Sequence, residues 1–192
     1  MADTTFVNNA TPIVADWLND VNDKLYHLNL GNSDRSLTSK LQDFVSVDDF
    51  GAVGDNTTDD LASVQAAIDS VNALGGGKVY FRPGAIYRLS AGPVVKTGVK
   101  LDLNGATVNL VFGSGADTLG FDMRQDSAIM NGTVNGAEAG APTSSDKDLH
   151  CPIVVGRTGG SLAGYNNVRI SDLRVTNTRS GTIGGRGILV QS

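Results

Sequence analysis

The chain has 192 residues, 24 of them Gly, with 40% hydrophobic, 18% charged and only 6% aromatic side chains. Such a chain turns often and packs small aliphatic residues in layers, and it is too apolar to be a disordered linker. Its net charge of −5 and pI near 4.8 advertise no basic surface for nucleic acid, and no apolar run approaches the ~20 residues of a membrane-spanning helix.

The N-terminus, Met1 to Thr5, lacks the charged-then-apolar layout of a secretory leader. One cysteine, Cys151, excludes an internal disulfide framework. The expectation is a protein folded in a cytoplasm, with no membrane or nucleic-acid partner.

The first predicted element is a helix. Thr11 suits its N-cap and Pro12 its first helical position, where a missing N–H costs nothing. Val14, Leu18, Val21, Leu25 and Leu28 then follow at gaps of four, three, four and three, the spacing of a coiled-coil seam. Trp17 and Tyr26 lie beside that seam, and Gly31 is placed to stop the helix. Two heptads are marginal alone in water, so the seam is expected to need a partner. Folding back on its own domain is the plainer alternative that periodicity leaves open. Residues 1–30 are assigned as a helical head for oligomerisation and anchoring, and the polar stretch 31–44 as a linker.

Val45 and Val47 alternate with polar neighbours, as a short strand does. A second helix is predicted from Thr57 to Leu74, with Thr57 and Asp60 at capping-box spacing and Gly75 to Gly77 ending it. Leu61, Val64, Ile68 and Val71 form its apolar stripe. Val79 to Phe81 and Ile86 to Leu89, divided by Pro83-Gly84, read as a hairpin-like unit.

From Val99 onward a six-residue block recurs: Leu103 to Val108, Ile129 to Val134 and Ile170 to Val175, each with a large aliphatic five residues before a valine. Short apolar runs follow each block, at Leu119 to Phe121, Ile153 to Val155 and Ile188 to Val190. Strands recurring at a coil-sized period predict a solenoid, because a β-sandwich does not repeat one block. Residues 45–98 are read as the opening of a parallel β-helix with its capping helix, and 99–192 as its first coils. The helical stripe is expected to cover the open end of the first coil, which would otherwise expose strand edges. The chain stops inside an apolar strand, so a longer solenoid is expected.

Chemistry-bearing residues are few. Asp48, Asp49, Asp55, Asp59 and Asp60 cluster, and paired carboxylates can hydrolyse glycosides or hold calcium. No calcium-loop pattern is present, and Asp59 and Asp60 fall where acids favour a helix N-terminus, so a structural role is expected. His150 beside Cys151 falls short of the ligands zinc requires. Gly75 to Gly77 end a helix and do not open one, which excludes a phosphate cradle. Glu138, Asp146 and Asp148 lie in a polar insertion without recognisable geometry. No catalytic, cofactor-binding or metal-binding residue is assigned.

Val45 to Asp55, Thr58 to Asp60, Gln65 to Ile68 and Gly75 to Gly84 together resemble the opening motif of the pectate-lyase-like right-handed β-helix superfamily. With the recurring blocks, the likeness extends over about three-quarters of the chain. Asn56 stands where that family usually has Gly, and Leu61 where it often has Thr. Thr5 to Asn9 and Trp17 to Asn22 resemble the start of bacteriophage tailspike and tail-fibre subunits. That resemblance implies a virion protein made in the host cytoplasm, usually a homotrimer. Its head would attach to tail or adaptor proteins, and its distal β-helix would bind or cleave host-surface polysaccharide. A self-standing polysaccharide lyase or glycoside hydrolase of the same fold is the alternative. Family catalytic residues generally lie on later coils, and none maps onto a position here.

Overall fold

The computed structural model describes residues 27–29, 34–36, 44–111, 120–136, 151–158, 161–162, 166–176 and 187–190. The chain divides into two units, Met1–Asp43 and Phe44–Ser192.

In the first unit, β1 (His27–Asn29) pairs antiparallel with β2 (Asp34–Ser36), with His27 opposite Ser36 and Asn29 opposite Asp34. Two sequence expectations are thereby corrected: Leu28 sits in a strand, not in the last helical turn, and the linker contains a strand. The sequence Leu30-Gly31-Asn32-Ser33 has the composition of a hairpin loop as much as that of a helix stop. Val14, Trp17, Leu18, Val21, Leu25 and Tyr26 lie outside the described residues.

The second unit is mainly β. It begins with β3 (Val45–Ser46), a 3-10 turn at Val47–Phe50, and β4 (Asp55–Asp59). The helix α1 (Leu61–Ala73) follows, then β5 (Gly77–Tyr80), β6 (Ile86–Leu89) and β7 (Val94–Val95). Next come β8 (Val99–Asp102), β9 (Thr107–Leu110), β10 (Phe121–Met123) and the eight-residue β11 (Ala128–Asn135). β12 (Ile153–Val155), β13 (Arg157–Thr158), β14 (Ser161–Leu162), β15 (Arg169–Thr176) and β16 (Ile188–Val190) complete it.

Apart from a small antiparallel β13–β14 pair, every strand of this unit pairs in parallel with the strand one coil away. Three stacks result. One runs β3, β5, β8 and the first half of β11; a second runs β4, β6, β9 and the second half of β11; β15 lies along the whole of β11. The third runs β7, β10, β12, β16. Because successive strands of the chain visit the stacks in turn, the arrangement is consistent with a parallel β-helix.

Three internal ladders hold the coils together. Val79, Leu101, Ile129 and Ile170 share one register, and Tyr87, Val108, Val134 and Val175 share the next. Val95, Met123, Val155 and Val190 form the third. The first three members of each ladder are buried. Alternation places one side chain in two inside each coil, so aliphatic residues stack on aliphatic residues.

The predicted valines of the recurring block therefore stack, but its leading aliphatic does not. Ile129 lies opposite Leu101, and Leu103 belongs to a turn in which Asn104 and Gly105 adopt left-handed φ of 49° and 83°. The turn adds two residues relative to the next coil, where Asn131 and Gly132 alone occupy the corner. Gly132 is required there, since a Cβ would collide with Leu103 Cβ and the Ala106 carbonyl.

Other local assignments change for the same tertiary reason. β5 and β6 do not pair with each other but with β8 and β9, so Pro83-Gly84 turns a corner instead of closing a hairpin. The strand predicted through Val47 ends at Ser46, whose side chain and Asp49 make a capping box over the 3-10 turn. Thr57 to Asp59 lie in β4, and α1 begins only at Leu61.

Val64, Ile68 and Val71 of α1 are buried and Leu61 is half-buried against the same core. Outside the coils, Asn109 Nδ2 donates to Asn56 Oδ1 at 2.6 Å and Asn135 Nδ2 to Asn109 Oδ1 at 3.0 Å, with Thr176 continuing the ladder. Asn56 has φ 66°, a left-handed position that Asn tolerates in place of Gly.

Candidate functional site

The acidic cluster is occupied by its own backbone. Asp60, buried to 1% exposure, accepts the amides of Val53 at 2.7 Å and Gly54 at 3.1 Å, and makes no cap bond to its helix. Asp49 accepts the Ser46 amide at 3.0 Å. Asp55 accepts both the amides and the hydroxyls of Thr57 and Thr58, and the amide bonds, Thr58 first, hold its carboxyl well below the usual carboxylate range. Burial alone would raise the Asp59 carboxyl, but Ser90, the Leu61 amide and Arg88 outweigh it and leave it below its ordinary value.

Asp48 accepts from Tyr87 Oη at 2.7 Å and from the Arg82 guanidinium at 2.9 Å, while Arg82 also donates to the Val53 carbonyl at 2.6 Å. Burial, reinforced by the Asp48 carboxylate, pushes the Tyr87 hydroxyl up to about 12. These acids close the first turns of the solenoid. Among the described residues no group of three or more His, Cys, Asp or Glu could hold a metal ion. Cys151 is buried; His150, Glu138, Asp146 and Asp148 lie outside the described residues.

A site that sequence reasoning missed lies on the outer face of the first stack. Lys78, Lys100, Ala128 and Arg169 share one register across β5, β8, β11 and β15, each immediately before a member of the Val79 ladder. Since the ladder residue points inward, its neighbour points out. With Ser127 and Met130 below and Asp126 and Asn167 at the rim, these residues line a groove of about 430 Å³.

Lys78 Nζ is held 3.3 Å from Asp102 and 5.3 Å from the centre of the Tyr80 ring. Asp102 also accepts from Asn131 at 3.0 Å, so Lys78 is partly neutralised by a carboxylate fixed in place. Lys100 and Arg169 are exposed, and among the described residues neither side chain pairs with a carboxylate. Asn167 Nδ2 donates to Asp126 Oδ1 at 3.0 Å, both residues sitting in left-handed turns. The groove carries three cationic side chains, one of them paired with Asp102, and its lining includes the hydrogen-bonded pair Asp126 and Asn167. The sequence signal was a basic residue directly before a core aliphatic in Lys78-Val79, Lys100-Leu101 and Arg169-Ile170.

Comparison with known proteins agrees with this architecture. Residues 44–108 match the family described as rhamnogalacturonase A/epimerase, pectate lyase-like, so this segment is similar to a pectate-lyase-like domain. Mannuronan C5-epimerase AlgE4 of Azotobacter vinelandii is 59% identical over 46 residues, 24% of this chain and 8% of the epimerase. The crystal structure of PfbA, a surface adhesin of Streptococcus pneumoniae, superposes with TM-score 0.52 at 27% identity, covering 68% of this chain and 33% of the adhesin. The tailspike of Escherichia coli bacteriophage HK620, solved in complex with a pentasaccharide, superposes with TM-score 0.51 at 18% identity, covering 86% of this chain and 36% of the spike; this likeness is one of fold. The chain thus spans about a third or less of the length of these relatives.

Proposed function

We propose that this chain is the front part of a polysaccharide-directed, right-handed β-helix protein of the phage tailspike kind. Residues 1–30 would oligomerise and attach it to tail or adaptor proteins of the virion, and the coils would carry the glycan-binding face outward. The observation that carries this reading is the groove across β5, β8, β11 and β15, whose lining side chains repeat in register from coil to coil. A repeating surface suits a repeating polymer, and long loops or open faces on a rigid scaffold are where solenoids bind. The tailspike solved with a pentasaccharide supports the same reading.

A second reading, a polysaccharide-modifying enzyme, is favoured by the short, high-identity match to the epimerase. Glycoside hydrolysis by its usual route needs two cooperating carboxyl groups. Among the described groove residues Asp126 stands alone at the rim, and Asp102 is engaged by Lys78 and Asn131. The 192-residue protein is therefore expected to be retained by at least one polysaccharide on an array of bacterial capsular and O-antigen glycans. It is also expected to release no reducing ends or unsaturated sugars from that glycan. Retention with cleavage supports the enzyme, and retention by no glycan contradicts the polysaccharide-directed role.

A further inference from the structure

The third stack ends at β7, and two amide side chains of α1 lie where a further strand would pair with it. We propose that Gln65 and Asn72 act as surrogates for the peptide groups of that strand. They close the front edge of the solenoid, so that β16 of a second copy cannot add to β7.

In a parallel ladder the N–H and C=O of one residue serve the same neighbouring strand, and those of the next residue serve the other. Asp122 and Arg124 of β10 donate to the Pro93 and Val95 carbonyls at 3.0 Å, so Val94 between them turns its own N–H and C=O away from β10. Gln65 meets both. Its Oε1 accepts the Val94 amide at 2.9 Å, and its Nε2 donates to the Val94 carbonyl at 3.2 Å. A primary amide carries the acceptor and donor of a peptide group, which no aliphatic side chain offers. The Gln65 amide is aimed by Asp69, one turn further on, which accepts from Nε2 at 2.9 Å and is paired with Lys96 at 2.9 Å. Asn72 continues the row by donating to the Thr97 carbonyl at 3.0 Å. The fronts of the other two stacks also lose amides to side chains. Asp49 takes the Ser46 amide of β3 at 3.0 Å, and Asp55 takes the Thr57 and Thr58 amides of β4 at 2.8 Å.

The partner refused by this closure is a second copy of the chain. Among the described residues β16 pairs with β12 alone, and its Ile188 and Val190 are 43% and 68% exposed. β16 and β7 are the two ends of one parallel stack, so β16 of one copy laid on β7 of the next would prolong that stack in its own direction. An open strand edge is a template for such addition.

Hydrogen exchange on the 192-residue protein reads the surrogate bond directly. The Val94 amide should be protected in the parent, and Gln65→Ala should speed its exchange at least ~10-fold, while Asp122 and Arg124 change less. Gln65→Glu adds a readout that packing alone would not move. A protonated carboxyl keeps one donor and one acceptor, whereas the ionised form cannot donate to Val94 and faces the Asp69 carboxylate that Lys96 pairs. The Asp122–Arg124 pair lies one strand away, on β10. The melting point of Gln65→Glu should therefore lie near the parent's at acid pH and fall below it as pH rises through the carboxyl range. Light scattering reads the closure. Gln65→Ala with Asn72→Ala should form species larger than the parent's own oligomer, growing with concentration, and adding Val190→Lys on β16 should abolish them. Ala66→Val, an apolar change on the exposed face of α1, should associate as the parent does. Open-amide exchange of Val94 in the parent, an unchanged rate in Gln65→Ala, or a Gln65→Glu gap that ignores pH would overturn the proposal. So would a double variant that associates no more than the parent, or larger species that survive Val190→Lys. If the double variant fails to fold, the parent's Val94 exchange and the pH series still decide the matter.

Discussion

Ile68→Asp is expected to lower the thermal midpoint by about 10–20 °C and to cut soluble yield sharply. Ile68 is fully buried on α1, between Val64 and Val71 and within the core that Val79 and Leu101 also enter. In chain order α1 stands between β4 and β5, where the later coils place β7 or β10. Its stripe therefore supplies the apolar wall that a third strand supplies elsewhere. Removing a buried Ile costs about 2–5 kcal/mol, and forcing an unpaired carboxylate into the same space adds several more. At this chain length each kcal/mol corresponds to about 2–4 °C. Ala66→Asp, on the exposed face of the same helix, should melt close to the parent. An Ile68→Asp protein with an unchanged melting curve would mean that α1 does not pack on the coils.

Asp60→Ala should be the second most damaging change, at about 2–5 kcal/mol. The carboxylate is buried and bridges the part-buried amides of Val53 and Gly54, which lose this charged acceptor in the variant. A hydrogen bond to a charged group contributes about 1.5–3 kcal/mol, and two are lost here. Asp60→Asn keeps one acceptor oxygen but turns an NH2 group toward the other amide, so it should recover only part of the loss. Denaturant midpoints give the stability. Hydrogen exchange at Val53 and Gly54 should accelerate in the variant while Val108 and Val134 change less, and uniform acceleration would contradict a local clamp.

These two sites show what was legible in sequence. The stripe of α1 could be read because its period is local, and burial follows the period. The role of Asp60 could not. Its spacing from Thr57 fits a capping box equally well, and its real partners are chosen by a turn six and seven residues upstream. The stacked valines Val108, Val134 and Val175 were visible as a repeat, whereas Leu101 was displaced from its ladder by Leu103 because the intervening turn makes the wrong aliphatic fall at the matching interval. Pro83-Gly84 marks a turn in either a hairpin or a coil corner, and only pairing with β8 and β9 distinguishes them. Lys78, Lys100 and Arg169 are scattered along the chain, with Ala128 between the last two, so nothing local joins them. Register alone makes the groove.

Whether this chain is an assembly piece, and not a free-standing enzyme, is tested most directly by the mass of the protein in solution. Light scattering on the 192-residue protein should report three chain masses. Leu18→Asp with Val21→Asp, which puts two charges on the proposed seam, should reduce it to a folded monomer, because a two-heptad helix has too little of its own stability to tolerate them. Trp17→Ala, beside the seam, should remain trimeric. A monomeric parent protein, or a double variant that stays trimeric, would contradict the proposal that residues 1–30 assemble the subunit.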